Sequence, residues 1–270
     1  MAMSMQSFEQ QMKAAGFTDE DPGLKNRLIM SLSGREKQGK THFALSAPDP
    51  LAYINFDVGD EGVIDKFRGS GKTIFHRRFS KPMTFKDGAP VADGALAEWL
   101  RLTQSWYKLL AIPDLKTIVA DTETEIWELI RLARLGKLTQ VKPFHYGPVN
   151  AEYDAFLKAA YESDKNIILI GKSKKEYTND KWNGGYERAG FSNLGFIVQV
   201  VAEMHRYGRA ELSEDDDPVL DSYACRIISC RHNPALEGCE FNNRNTCNFE
   251  HVQMSVLAKM DPEDCEAYMF

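Results

Sequence analysis

The sequence predicts an α/β protein, a mainly parallel β-sheet with helices on both faces, built around a phosphate-binding loop. Three observations lead there. Short apolar runs alternate with helix-spaced segments, the pattern of parallel strands joined by crossover helices. Residues 34–41, Gly34-Arg35-Glu36-Lys37-Gln38-Gly39-Lys40-Thr41, fit G-x-x-x-x-G-K-[ST] without a mismatch. Residues 116–121 (KTIVAD) form an apolar strand that ends in an acid.

Taken in order, residues 6–15 are spaced for a short amphipathic helix with Phe8, Met12 and Ala15 on one face. Residues 19–23 (DEDPG) break the chain. Residues 28–32 (LIMSL) are a strand leading into the Gly34 loop, and a helix over 40–46 follows, stopped by Pro48 and Pro50. Residues 51–56 (LAYINF) are a second strand and 73–75 a third, followed by a Pro-, Gly- and Asp-rich loop over 81–94. Leu96, Trp99, Thr103, Trp106 and Leu110, widened by Leu100 and Tyr107, give a helix over 95–110. The strand ending at Asp121 precedes helices over 125–135 and 150–161, then a buried strand, 166–170 (NIILI). Residues 172–193 form a long polar loop, 196–204 a strand, and 211–218 an acidic loop. Residues 223–230 and 252–257 alternate like late strands.

The phosphate loop carries the chemistry. Glycine at positions 34 and 39 lets backbone N–H groups turn inward around phosphates. Lys40 reaches the β- and γ-phosphates, Thr41 offers a hydroxyl to Mg²⁺, and the helix presents its positive end to the anion. Residues Gly34 to Thr41, with His42 as the next helix residue, are the ones expected around the nucleotide. Asp121 is expected to hold the metal with Thr41, and its alternative is a helix-capping acid. Asp57 and Glu61, just beyond the second strand, are the candidates to orient a water; Glu123 is a third. Turn residues are the competing reading for Asp57, Asp60 and Glu61.

The run LSGREKQGKTHFAL, then LAYINFDVGDEG, TIVADTETEIWELI, FHYGPVNAEYDAFLKAA and NIILIGKSKKEY resembles the phage-encoded RecA-like ATPases, a family of phage nucleotide-binding and single-strand annealing proteins. The resemblance covers roughly residues 25–232. It implies a RecA-like P-loop NTPase core, ATP with Mg²⁺, and rings or filaments on single-stranded DNA. It also implies a protein of DNA recombination or annealing, with a single-strand-binding protein as a candidate partner; the polar N-terminus and the lack of a long apolar run make a cytoplasmic protein the expectation. The family's Asp-x-Glu at the second strand falls on Asn55-Phe56-Asp57, and the fourth core strand ends on Gly171-Lys172-Ser173 rather than a Gln or His sensor. The absence of N-K-x-D and L-S-G-G-Q motifs turns the reading away from small GTPases and transporter ATPases. A small-molecule kinase and a non-hydrolysing ATP-binding scaffold remain as alternatives.

Composition bounds the rest. The chain has 270 residues, a net charge of −6 and no run of 18 apolar residues. A single core with an N-terminal helix and linker (1–24) and a C-terminal extension packed on the core (233–270) is expected. The acidic balance requires any DNA contact to be local. Lys172, Lys174, Lys175, Trp182 and Arg188 sit in one basic and aromatic stretch suited to single strands or to a neighbour's ATP. A solvated hairpin is the competing reading. Cys230, Cys239, Cys247 and His251 are spaced x8, x7 and x3. That leaves a zinc knuckle open beside plain reduced thiols, although no C-x-x-C pair is present.

Overall fold

In chain order the elements begin α1 (Met5–Ala14), β1 (Ile29–Ser33), α2 (Lys40–Leu45), β2 (Leu51–Asn55), α3 (Val63–Gly69) and β3 (Ile74–Arg78). Then come the small hairpin β4 (Thr84–Lys86) and β5 (Ala89–Val91), α4 (Ala95–Ala111), β6 (Thr117–Asp121), α5 (Glu123–Leu135), α6 (Tyr146–Lys158) and β7 (Asn166–Ile170). The last third holds β8 (Ser173–Thr178), β9 (Lys181–Arg188), α7 (Leu194–Ile197), β10 (Val200–Arg206) and β11 (Tyr223–Cys230). It closes with β12 (Cys239–Phe241), α8 (Phe249–Leu257) and β13 (Tyr268–Met269). This computed structural model describes residues 5–18, 23, 25–56, 62–86, 89–138, 141–208, 222–243 and 245–269. The acidic stretch 211–218 lies outside them.

Nine strands form one sheet in the order β13-β12-β11-β10-β1-β7-β6-β2-β3. Every neighbour from β10 to β3 is parallel, and β11, β12 and β13 continue it antiparallel. β1, β2, β6 and β7 are buried at every position, which is why they read as unbroken apolar runs. Strand alternation sorts their side chains onto two cores. Met30, Leu32, Tyr53, Val119, Ile168 and Ile170 face the side covered by α2, α3 and α8. Ile29, Ala52, Ile54, Ile118, Ala120, Ile167 and Leu169 face the side covered by α4, α5 and α6. On that second side Trp106 stacks on Phe156 with ring centroids 4.7 Å apart and donates its indole N–H to the Phe156 carbonyl at 3.0 Å.

One strand, β7, separates the strand that enters the phosphate loop (β1) from the strand that ends in Asp121 (β6). The chain winds one way from β1 to β3 and places β10 on β1's other edge. The result is a mainly parallel sheet with helices on both faces, with the phosphate loop at the end of one of its central strands. Among the described residues no helix is long and apolar enough to cross a membrane.

Several expectations need correction. Residues 252–257 are helical: Val252 and Val256 are buried one turn apart, and the Asn248 side chain caps the helix by accepting from the His251 N–H at 2.9 Å. The loop expected over 172–193 is mostly the two-stranded hairpin β8–β9, and that over 81–94 contains β4–β5. The strand expected over 196–204 starts only at Val200, after the short helix α7. In α4 the buried stripe is Ala95, Trp99, Leu102 and Trp106, whereas Leu96, Leu100 and Tyr107 are exposed. In α1, Phe8 and Met12 are exposed as well.

Candidate functional site

The carboxyl ends of the parallel strands converge on one cavity of about 850 Å³. Its floor is the loop from Gly34 to Thr41 with the first turns of α2, including His42; its walls include Asp121, Thr122, Lys172, Ser173, Met204 and Tyr223. Crevices at such strand ends are where open α/β sheets bind ligands.

The loop's shape depends on its two motif glycines. Gly34 has φ +149°, and a Cβ there would lie 2.8 Å from the Met204 carbonyl oxygen. Gly39 has φ +84°, and its Cβ would lie 2.9 Å from the Tyr223 ring. No larger residue fits either place without moving a neighbour. Gln38 Oε1 accepts from the Arg35 N–H at 2.5 Å, which closes the loop on itself. Lys40 Nζ donates to the carbonyls of Gly34 at 2.8 Å and Arg35 at 2.6 Å, so its ammonium lies along the loop it serves.

Thr41 and Asp121 come together across the sheet. Thr41 Oγ1 donates to Asp121 Oδ2 at 2.9 Å. The same oxygen accepts from the Tyr53 hydroxyl at 2.6 Å. In the sequence Tyr53 looks like one more apolar strand residue, and only the register, Tyr53 beside Val119, brings its hydroxyl to Asp121. A hydroxyl and a carboxylate at the end of a loop of inward N–H groups have the chemistry of a hard-cation and phosphate site. Asp57 and Glu61 follow Asn55, the register partner of Asp121, but both lie outside the described residues.

Glu123 takes a different direction. It is fully buried at the start of α5, accepts from the Tyr153 hydroxyl at 3.1 Å, and pairs with Arg188 Nη1 at 3.4 Å. Burial pushes its carboxyl up to about 7, against the pull of Arg188 and Tyr153. It does not border the cavity. Glu125, two residues along, is held by both Lys81 and Lys172, and Lys81 also binds Glu128. Burial opposes ionisation of Glu125, but those two ammonium groups outweigh it and hold the carboxyl below its ordinary range. His42 borders the cavity, and burial followed by the nearby Lys66 charge lowers its pKa.

The basic and aromatic residues divide between the hairpin's root and its tip. At the root, Lys172 borders the cavity and Arg188 turns inward to Glu123. Arg35 of the phosphate loop lies over the Tyr186 ring at 4.8 Å, tying the hairpin to the cavity. Further out, Lys174 pairs with Glu187 at 3.1 Å and Lys175 sits over the Trp182 ring at 4.9 Å. Tyr177 and Trp182 are 60% and 48% exposed.

The cysteine cluster does not assemble as spaced. His251 Nε2 lies 2.8 Å from the Cys265 carbonyl oxygen, and among the described residues no three His, Cys, Asp or Glu side chains are grouped to hold a metal. Cys247 borders the cavity, and burial, then the Glu240 charge, pushes its thiol up to about 12.

Among solved structures, the chain is similar to the crystal structure of a KaiC-like protein from the hyperthermophilic archaeon Pyrococcus horikoshii, at 12% identity and a TM-score of 0.44. That likeness covers 82% of this chain and 87% of the other. No curated protein matches. A family described as an AAA domain matches residues 26–190, from the start of β1 through the hairpin. With more than half of its length matched, the chain belongs to the AAA domain family.

Proposed function

We propose that the chain binds Mg²⁺·ATP in the strand-end cavity and hydrolyses it slowly, in the service of DNA recombination or single-strand annealing. The observation that carries the nucleotide part is the Thr41–Asp121 contact of 2.9 Å at the mouth of a complete phosphate loop. Lys40 would leave its two loop carbonyls for the β- and γ-phosphates. Backbone N–H groups of residues 34–41 would cradle the phosphates, and Thr41 and Asp121 would hold the metal. Bound Mg²⁺ would neutralise charge that builds on the transferring phosphoryl group. Asp57 or Glu61 would orient the attacking water.

The DNA part rests on the hairpin. Exposed Tyr177 and Trp182 offer stacking faces, and Lys174, Lys175 and Lys181 offer cations beside them. Glu176, Asp180 and Glu187 share the same ribbon, so the positive surplus is small. A single copy would contact only two or three phosphates. Useful affinity then calls for several copies on one strand, with a single-strand-binding protein as a further partner. The cellular setting that fits is the cytoplasm of a host cell.

A second reading is a nucleotide-binding scaffold without turnover. It is favoured by Glu123, the acid nearest the metal pair in sequence, which is drawn into the core rather than the cavity.

ATP turnover with and without single-stranded DNA at low salt, beside Lys40→Ala, tests the proposal. DNA-stimulated turnover that the substitution abolishes supports it. Turnover indifferent to DNA removes the recombination reading, and tight ATP binding with no turnover leaves the scaffold.

A further inference from the structure

The loop motif and its acid give β2 no part in the site, yet a β2 side chain reaches it. β2 lies beside β6, and the register sets Tyr53 against Val119, two residues before Asp121. The Tyr53 hydroxyl donates to Asp121 Oδ2 at 2.6 Å. Tyr53 is 1% exposed and Asp121 4%, so the contact is shut off from water. Tyr53 does not itself border the cavity. Whatever it does for a ligand, it does through Asp121.

The same carboxylate oxygen takes its other donor from the phosphate loop, Thr41 Oγ1 at 2.9 Å. The two donors differ in what carries them. Thr41 stands in the first turn of α2, where the loop ends, and it moves with the loop. Tyr53 belongs to a strand that is buried at every position and paired on both edges, with β3 and with β6. Two donors on one oxygen fix how the carboxylate is turned about its bond to Cβ. The Tyr53 donor ties that orientation to the sheet, so it persists when the loop rearranges around a ligand. A phenylalanine at position 53 would fill the same space and remove the tie.

Orientation matters more for one cation than for another. Mg²⁺ accepts little departure from octahedral geometry, whereas Ca²⁺ takes more oxygens in looser arrangements. Groups that orient a metal-binding side chain from behind typically change metal affinity by about 10- to 100-fold.

We propose that Tyr53 is a positioning residue: through Asp121 Oδ2 it holds the metal-binding carboxylate as a small octahedral cation requires, and so makes the site select Mg²⁺ over Ca²⁺. This rests on the cavity being the Mg²⁺·ATP site. Thr41 and Asp121 would hold the cation, and Tyr53 sets which cation that pair accepts.

The test is calorimetric titration of ATP into the full chain in EDTA, in Mg²⁺ and in Ca²⁺, for the wild type and Tyr53→Phe. Mg²⁺ is expected to strengthen ATP binding about tenfold less in Tyr53→Phe than in the wild type. The strengthening by Ca²⁺ is expected to change by less than about threefold, and affinity in EDTA by less than about twofold. Retained affinity in EDTA also shows that the variant is folded. In an Asp121→Asn background, Tyr53→Phe is expected to add less than about twofold, because its route to the metal has gone. An unchanged Mg²⁺ effect in Tyr53→Phe overturns the proposal. So does an equal loss with Mg²⁺ and Ca²⁺, which would remove the selection. A loss as large in EDTA as in Mg²⁺ would show that Tyr53 shapes the loop instead, and a full further loss in the Asp121→Asn background would show that it does not act through Asp121. ATP binding by the wild type that no metal strengthens overturns the metal site itself, a result distinct from the others.

Discussion

The strand-end cavity and the β8–β9 hairpin are neighbours in the fold and are built on opposite principles. The cavity is made of backbone: two glycines with no room for a Cβ, a loop closed on itself, and four central strands buried at every position. The hairpin is a separate two-stranded sheet whose outer side chains face water. Two strands alone are marginally stable, so its position depends on what its root is tied to: Arg35 on Tyr186, Arg188 on Glu123 and Lys172 on Glu125. A rigid site that reads phosphate thus carries a compliant ribbon whose placement follows the site. The difference gives substitutions in the two regions different signatures.

The largest effect belongs to the cavity. Lys40→Ala is expected to lower ATP affinity about a hundredfold or more, the loss of two charge-assisted contacts, while unfolding stability changes by less than about 1 kcal/mol. Calorimetric titration beside a denaturant melt checks both. A matching collapse of stability would show that Lys40 holds the loop rather than the ligand.

Glu123 lies on the seam between the regions and predicts a pH dependence. Its carboxyl is raised from an ordinary 4.5 to about 7. Between those values the unfolded chain releases a proton that the folded chain keeps. Stability should therefore fall as pH rises through that window and level off above it, by roughly 3 kcal/mol in all. Glu123→Gln keeps an acceptor for Tyr153 and removes the titration, so the fall should be smaller in the variant. Parallel denaturant melts at pH 5 and pH 8 measure it; the same fall in both proteins would remove Glu123 as its source.

On the hairpin the signature reverses. Trp182→Ala should leave stability within about 0.5 kcal/mol and weaken single-stranded DNA by about tenfold, one base–aromatic stack. Fluorescence anisotropy with a labelled oligonucleotide reads this, and a shallow salt dependence, two or three phosphates per copy, should accompany it. DNA binding untouched by Trp182→Ala would move the DNA surface off the hairpin. The smallest effect is Tyr53→Phe, which removes one donor from Asp121 and should cost about 1 kcal/mol of stability. A neutral result would mean that Asp121 replaces that contact without loss.

The same contrast explains what the sequence made legible. The phosphate loop could be read because its chemistry is local: eight consecutive residues hold every group that matters. Asp121 could be read because a strand buried on both faces is an apolar run, and its end is visible. The hairpin was harder, since Lys175, Tyr177 and Trp182 lack a buried face that would impose alternation, and its placement depends on contacts with Glu123, Glu125 and Arg35 far away in the chain. α8 misled for the opposite reason: Val252, Met254 and Val256 alternate like a strand, and the Asn248 cap was the overlooked signal. Tyr53 and Glu123 had no local signature. Their roles depend on the register of β2 with β6 and on where Arg188 returns.

Thr41 and Asp121 form, with the phosphate loop, the proposed magnesium-dependent ATP site. Titration of ATP with Mg²⁺ and with EDTA, into the wild type and Asp121→Asn, tests it most directly. Mg²⁺ is expected to strengthen ATP binding in the wild type, with that dependence largely lost in Asp121→Asn. ATP affinity indifferent to Mg²⁺, or equally Mg²⁺-dependent in both proteins, would contradict it.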